Sequence, residues 1–243
     1  MILEFPFYVD FDDVGPVIAI FDREDLDRAR QIALQKVDSV NINSPGGSPR
    51  TREVRLRRLV AGKLADHAVK EVLERYFRRF ARNWSVEEFD EVRQDNFLYP
   101  DPWDLRCFDQ EEHVRLVEVR SSFVHWLKEI DTLRKLPKQS LLGPYATSSK
   151  IAEAQKDLFW QVAFFNIPDD ERSGSGNASF FGDHRDGTIQ AVVMGGGERD
   201  LFERTGTVQR EIAEGAAYLT IRPMSAGRTV DQMLRLTIGQ SAV

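Results

Sequence analysis

The 243-residue chain reads as an α/β domain, and three observations predict that class. Apolar runs with strand character (17–21, 156–165 and 188–194) are interspersed with segments whose apolar residues recur at helical spacing (22–36, 53–82 and 122–135). One of those helical segments is long and clearly striped. Residues 99–122 read as strand, polar turn and strand. The length fits one large domain, or one domain with an embellishment. A 42% hydrophobic, 30% charged composition excludes a disordered chain and fits a soluble globular one. No run of about 18 apolar residues occurs, so no membrane span is expected.

The elements follow in order. Val17–Phe21 is a short apolar strand. Asp22–Lys36 carries Leu26, Ala29, Ile32 and Ala33 at helical spacing, and Val37–Ile42 reads as a further strand. Asn43-Ser44-Pro45-Gly46-Gly47-Ser48-Pro49 is the clearest break in the chain. It divides an N-terminal α/β embellishment, residues 1–45, from a main body, residues 50–243. The strongest helix spans Glu53–Arg82, with Leu56, Leu59, Val60, Leu64, Ala68, Val72, Leu73, Phe77 and Phe80 on its apolar stripe. Asp66 lies seven residues from both Leu59 and Leu73, so it projects from that stripe or its edge. Gly62 leaves space beside it. An inward carboxylate is costly unless paired or metal-bound, and a nearby arginine is its simplest partner.

Val86–Arg93 alternates like a strand. In the hairpin that follows, a turn centred near Glu111 sets Asp104 opposite Glu118, with Cβ atoms roughly 5 Å apart on one face. Arg120 comes two residues later on the same face. Two carboxylates so placed can hold Mg²⁺, which favours one or two carboxylates plus waters and phosphate oxygens. Ser122–Lys135 resembles a helix. After Pro137 and the Gly143-Pro144 break comes the apolar strand 156–165, and residues 169–187 read as a loop rich in Gly, Ser and charge. Thr188–Met194 is a strand, Gly195–Gly197 a turn, and Ala216–Pro223 a late strand. No internal repeat is visible.

The net charge of −6 argues against a nucleic-acid partner, but its distribution matters more than its sum. Residues 50–82 hold eleven Lys/Arg against four acids. That surplus is either a solvated helix face or a phosphate-binding strip formed by Arg50, Arg52, Arg55, Arg57, Arg58 and Lys63. The single cysteine, Cys107, excludes an internal disulfide and a Cys-based zinc site, and fits a reducing, cytoplasmic setting. The first residues lack a basic n-region and meet Glu4 early, against a signal peptide.

Helix with inward Asp66, strand with Asp104, strand with Glu118-Val119-Arg120, helix, strand with Gln161: this order resembles the PD-(D/E)xK superfamily of restriction-endonuclease-like nucleases, over roughly residues 52–194. The resemblance implies a restriction-endonuclease-like core, a central mixed β-sheet flanked by helices. It implies a DNA endonuclease dependent on Mg²⁺, with Mn²⁺ as substitute, acting in restriction, phage defence or repair, often as a homodimer. Asp104, Glu118 and the Val119 carbonyl match the metal ligands, Asp66 the acid of the first core helix, and Gln161 a glutamine some branches place near the site. Asp101 after Pro100 spells "PD" but precedes the strand, so Asp104 is preferred. Arg120 stands where the family has lysine. An arginine stays protonated and is no general base, although it can stabilise transition-state charge. Lys128 or Lys135 could substitute. The departure leaves open a catalytically inactive nuclease fold that binds DNA or a protein. A third reading is an unrelated α/β domain whose hairpin acids merely pair with Arg106 or Arg120.

The remaining candidates are weaker. Of the histidines, His67 lies beside Asp66, His113 in the hairpin turn and His184 in the loop. Phe159, Trp160, Phe164 and Phe165 read as core rather than a base-stacking platform. The glycines at 195–197 lack the Lys-Ser/Thr of a P-loop.

Overall fold

The computed structural model describes residues 1–4, 15–43, 49–99, 101–124, 139–146, 155–165, 189–210 and 217–240. A seven-stranded mixed sheet forms the centre. Its strands are β1 (Ile2–Glu4), β2 (Val17–Phe21), β3 (Trp84–Glu88), β4 (Leu105–Asp109), β5 (Val114–Phe123), β7 (Leu158–Phe165) and β8 (Ile189–Glu198), in the order β1-β2-β8-β7-β5-β4-β3. The central pair β5–β7 is parallel and the other pairings are antiparallel. A second sheet of three strands is ordered β6 (Leu141–Tyr145), β10 (Ala217–Ile221), β9 (Thr207–Arg210).

The helices flank this frame: α1 (Arg23–Lys36), α2 (Arg52–Phe80), the single turn α3 (Phe89–Val92), α4 (Arg199–Thr205) and α5 (Val230–Thr237). Asp22 starts α1 with a reciprocal cap to Asp25, and the Thr51 side chain accepts from the Val54 N–H to start α2. The apolar stripe of α2 covers one sheet face, where Leu64, Ala68, Val72 and Leu73 meet Val117, Val119, Trp160 and Val162. The opposite face is roofed by the small sheet and α4 around Leu141, Phe159, Phe202 and Ile221. Strand β7 is buried along its whole length, as a central strand covered on both faces must be.

Several sequence expectations are corrected. Residues 37–42 form turns, and an isolated bridge joins Asn43 to Pro49; Ser39 donates back to the Lys36 carbonyl, closing α1. The 86–93 stretch is the end of β3 followed by α3, because Glu88 and Glu91 cap a helical turn. Gly143-Pro144 lies inside β6, at the roof, rather than in a break. The helix expected over 122–135 does not start at Ser122, because Ser122 and Phe123 complete β5; its residues 125–135 and the expected loop 169–187 lie outside the described residues, as do Lys128, Lys135 and His184. The sequence left the placement of the first 45 residues open: β1 and β2 extend the main sheet through β8, and α1 packs on α2.

Gly195–Gly197 are not a turn. They continue β8 through an irregularity opposite Trp160–Val162, with Gly195 at φ +100°. A Cβ on Gly196 would lie 1.9 Å from the Phe159 carbonyl oxygen, so only glycine lets β8 approach β7 there. Gly196→Ala should therefore destabilise the protein by at least the ~1–3 kcal/mol typical of overpacking. The urea midpoint measures this, and an unchanged midpoint would refute the close approach.

Candidate active site

The register Leu105↔Val117 continues to set Asp104 opposite Glu118, as the turn-centred reading expected. The two acids share a sheet face. Asp104 precedes β4 and is locked to β5 twice: its N–H donates to the Val117 carbonyl (3.1 Å), and its Oδ2 accepts from the Val119 N–H (2.8 Å). The carbonyl of a strand residue leaves on the same edge as its N–H, so the Val119 oxygen also emerges beside Asp104, past the end of β4.

Glu118 and Arg120 are both buried, at 8% exposure, so Glu118 is not a surface acid, although it does pair with Arg120. Arg120 Nη1 lies 2.8 Å from Glu118 Oε1. Its guanidinium sits 4.5 Å from the Tyr145 ring centre, 5.4 Å from Tyr218 and 5.9 Å from Phe159, an aromatic box made by β6, β10 and β7. The other oxygen of Glu118 is bonded by Lys156 Nζ. Lys156 is the residue that sequence reasoning missed. It precedes β7, which runs parallel to β5, and the pairing of Val117 with Leu158 brings its ammonium to Glu118. The signal was a lysine at the head of a wholly apolar run, which was folded into that run instead of being weighed.

On α2, Asp66 is 3% exposed and faces inward, as its place on the stripe predicts. Its partner is Lys63 (2.6 Å), not an arginine, and Lys63 also reaches Asp90 (2.6 Å). Lys63 is thus withdrawn from the expected phosphate strip, because two buried carboxylates need its charge. Other cations of the strip are engaged locally. Arg52 pairs with Asp38 (3.1 Å), Arg55 donates to the Val37 carbonyl (2.9 Å), and the Arg57 guanidinium lies 5.9 Å from the Phe123 ring centre. Arg50 is half-buried and Arg58 exposed. Asp101 joins a neighbouring network, bonded by Lys36 and by Arg93 (3.0 Å).

Gln161 is fully buried and acts as a tie. Its amide nitrogen donates to the Arg120 carbonyl (3.1 Å) and Ser122 Oγ (3.0 Å), and its oxygen accepts from the Leu142 N–H (3.2 Å). It joins β5, β7 and β6 behind Arg120, and its hydrogen bonds reach neither Asp104 nor Glu118.

The charges divide the two paired acids. Burial, then Glu118 and Asp66, push the Asp104 carboxyl well above the usual range, against the pull of Lys156 and Lys63. Burial also works against charge on Glu118, but Arg120 and Lys156 outweigh it and hold Glu118 below the usual range. The surroundings thus push the two acids in opposite directions, Asp104 toward its protonated form and Glu118 toward its ionised form, and they titrate as a pair. Burial raises Asp66 to about 6, with Lys63 pulling the other way. Asp104, Glu118 and the Val119 carbonyl are hard oxygen donors of the type Mg²⁺ and Mn²⁺ take, and both Glu118 oxygens are already engaged by Arg120 and Lys156. At the hairpin tip, Asp109, Glu111 and His113 also bring ligand atoms within 4.8 Å of one another. There Asp109 accepts from the Glu111 and His113 N–H groups, which accounts for the cluster as turn closure.

Over 230 residues the chain is 24% identical to an uncharacterized protein, MJECS01, of Methanocaldococcus jannaschii, a match covering 88% of this chain and 82% of that protein. No family model and no solved structure matches the chain.

One residue beside the site sets a pH response. His67 Nε2 lies 3.3 Å from Asp25 on α1 and Nδ1 lies 3.7 Å from Glu88 at the end of β3. Burial opposes its charge, but the bonds to Asp25 and Glu88 outweigh that and raise the imidazole to about 9. A raised folded-state value stabilises fully below the unfolded value of about 6.5 and is lost as pH rises through 9. Folding stability should fall over that window by on the order of 3 kcal/mol, and His67→Gln should flatten the limb. Urea titrations at pH 6 to 10 would measure both; an identical slope in the variant would refute the assignment.

Proposed function

We propose that this chain is a Mg²⁺-dependent phosphodiesterase acting on DNA, with a restriction-endonuclease-like core. The observation that carries the reading is the Asp104–Glu118 pair held across β4–β5 with Lys156 against Glu118. The order α2, β3, β4, β5, then β7 parallel to β5, supports it.

In this reading Asp104, Glu118 and the Val119 carbonyl hold the cation, and Asp66 stands behind Asp104. A divalent cation supplies neutralisation of the phosphate and activation of water. Lys156 takes the part left open by Arg120: a buried ammonium against the second acid, where a phosphate oxygen would gain negative charge. Arg120 is a positioning residue, because its fork and aromatic box fix Glu118 in place. Gln161 acts through Arg120 rather than on the substrate. An intracellular homodimer belongs to the same proposal, since a duplex offers two strands to cut.

One observation favours a second reading, a silent nuclease fold that binds DNA or a protein. Both oxygens of Glu118 are taken by Arg120 and Lys156, and Asp66 is taken by Lys63, so two of the three acids are already neutralised within the chain.

Plasmid incubated with the protein and Mg²⁺ or Mn²⁺ separates the two. Nicking should fall at least 100-fold in Asp104→Asn, Glu118→Gln and Lys156→Ala, with circular dichroism unchanged. Arg120→Lys keeps a cation beside Glu118 but loses the planar fork held in the aromatic box, so nicking should fall about tenfold, less than in those three variants. DNA retardation without nicking by the wild type would favour the silent fold. Undiminished nicking by Asp104→Asn and Glu118→Gln would exclude this site.

A further inference from the structure

Beyond Arg120, the same face of β5 continues to Ser122, where a cavity of about 220 Å³ opens under the end of β6. Its polar lining is Ser122, Gln139, Ser140, Gln161 and Gln209. Met194 and Met224 supply apolar surface, whereas the Phe123 ring is turned to the α2 face against Phe164 (5.7 Å); among the described residues no charged side chain lines the cavity. The volume lies below the ~300–1,000 Å³ of sites for drug-sized ligands, so it suits one ring system and not a whole nucleotide.

We propose that this cavity takes a single neutral nucleobase, belonging to a nucleotide of the strand engaged at Asp104 and Glu118. The assignment of that strand rests on the nuclease reading above; the nucleobase chemistry does not.

The hydrogen-bonding inventory carries the choice. Gln161 is spent on Arg120, Ser122 and Leu142, and forms a rigid floor. Ser122 Oγ accepts from Gln161, which leaves its proton to donate. Gln209 Oε1 accepts from Ser140 Oγ (3.1 Å) and Thr220 Oγ1 (3.4 Å), so its amide nitrogen is the free end, without an acceptor among the described residues. The lone pairs of Ser140 and the amide of Gln139 add acceptors. Donors and acceptors thus stand together beside two methionines, with no charged side chain among the described lining residues. A base edge offers that mixture, amides pair with it, and apolar side chains cover its faces. Among the described residues a phosphate or carboxylate would find no cation there.

Placement agrees. Glu118, Arg120 and Ser122 lie on one face, and at ~3.3 Å per residue Ser122 is about 13 Å along β5 from Glu118. The small sheet roofs Arg120 between them, so a strand passes around the edge of the roof and needs at least about four nucleotides at ~3.4 Å each.

The test uses the full chain, first without metal, with adenosine, guanosine, cytidine and thymidine each at millimolar concentration in saturation-transfer NMR. At least one should give a saturable signal. Ser140→Phe and Gln209→Leu, both at the rim and outside the buried core, should each weaken it at least tenfold, while Asp104→Asn leaves it unchanged. In a second arm, Mg²⁺-dependent cleavage is measured on duplexes carrying one abasic nucleotide at successive positions, and one position should lower cleavage at least tenfold. No saturable nucleoside signal, or a signal indifferent to both rim variants, overturns the nucleobase site whatever the cleavage result. A saturable, rim-dependent signal with no DNA cleavage supports the site and sinks the nuclease reading. Cleavage indifferent to every abasic position overturns the placement of the substrate strand's base in the cavity.

Discussion

The burial of Glu118 and Arg120 on a central strand constrains everything around them. Charge taken out of water must be matched by charge or hydrogen bonds, and breaking one member of such a set typically costs ~3–5 kcal/mol. Arg120 answers Glu118 from the same strand, and Lys156 answers it from β7. The small sheet then has a reason to sit where it does. Tyr145 from β6 and Tyr218 from β10 stack at 4.7 Å and cover the Arg120 guanidinium. Gln161 fastens that roof to β5 and β7 with bonds to Arg120 and Leu142. The roof is built around a charge, not only around apolar area.

Asp104 belongs to the same logic from the other side. It caps the Val119 N–H where β4 has ended, so the acid occupies the gap left by a missing strand residue. Burial and two neighbouring carboxylates favour its protonated form, while two cations favour ionised Glu118. Two acids a strand apart are thereby pushed in opposite directions by their surroundings. Environments that push a pair of acids apart in this way are common at sites of proton or metal chemistry, and structural ion networks produce them as well.

Much of this was legible in the sequence, for reasons that can be named. Asp66 was recognisable as inward because helical periodicity fixes its direction from Leu59 and Leu73. The Asp104–Glu118 pairing followed from strand geometry and the position of one turn. Lys63 and Lys156 were harder. Both lie within apolar patterns, Lys63 four residues from Leu59 and Lys156 at the head of the β7 run, and long cations are normally read as exposed. Their burial is decided by distant carboxylates, Asp90 and Glu118, which no local window contains. Gly195–Gly197 were misread for a related reason. Three glycines signal a turn locally, whereas here they let β8 press against the Phe159 carbonyl. Val86–Arg93 failed on capping, since Glu88 and Glu91 close a helical turn that alternation does not reveal.

The basic segment shows the same principle on the scale of a helix. Its surplus of positive charge suggested a phosphate-binding strip, but a sum over sequence does not say which charges remain for a partner. Lys63 neutralises Asp66 and Asp90, Lys70 meets Glu91, and Arg75 and Arg78 meet Glu71 and Glu74 along α2. Arg52 is turned back to Asp38. Exposed pairs of this kind are individually weak and exchange readily with a competing anion, whereas the buried Lys63 pairs do not. The cations of α2 therefore fall into two groups with different duties. Those near Gly62 support the acids from within, and those toward its ends are held by contacts that a phosphate can displace.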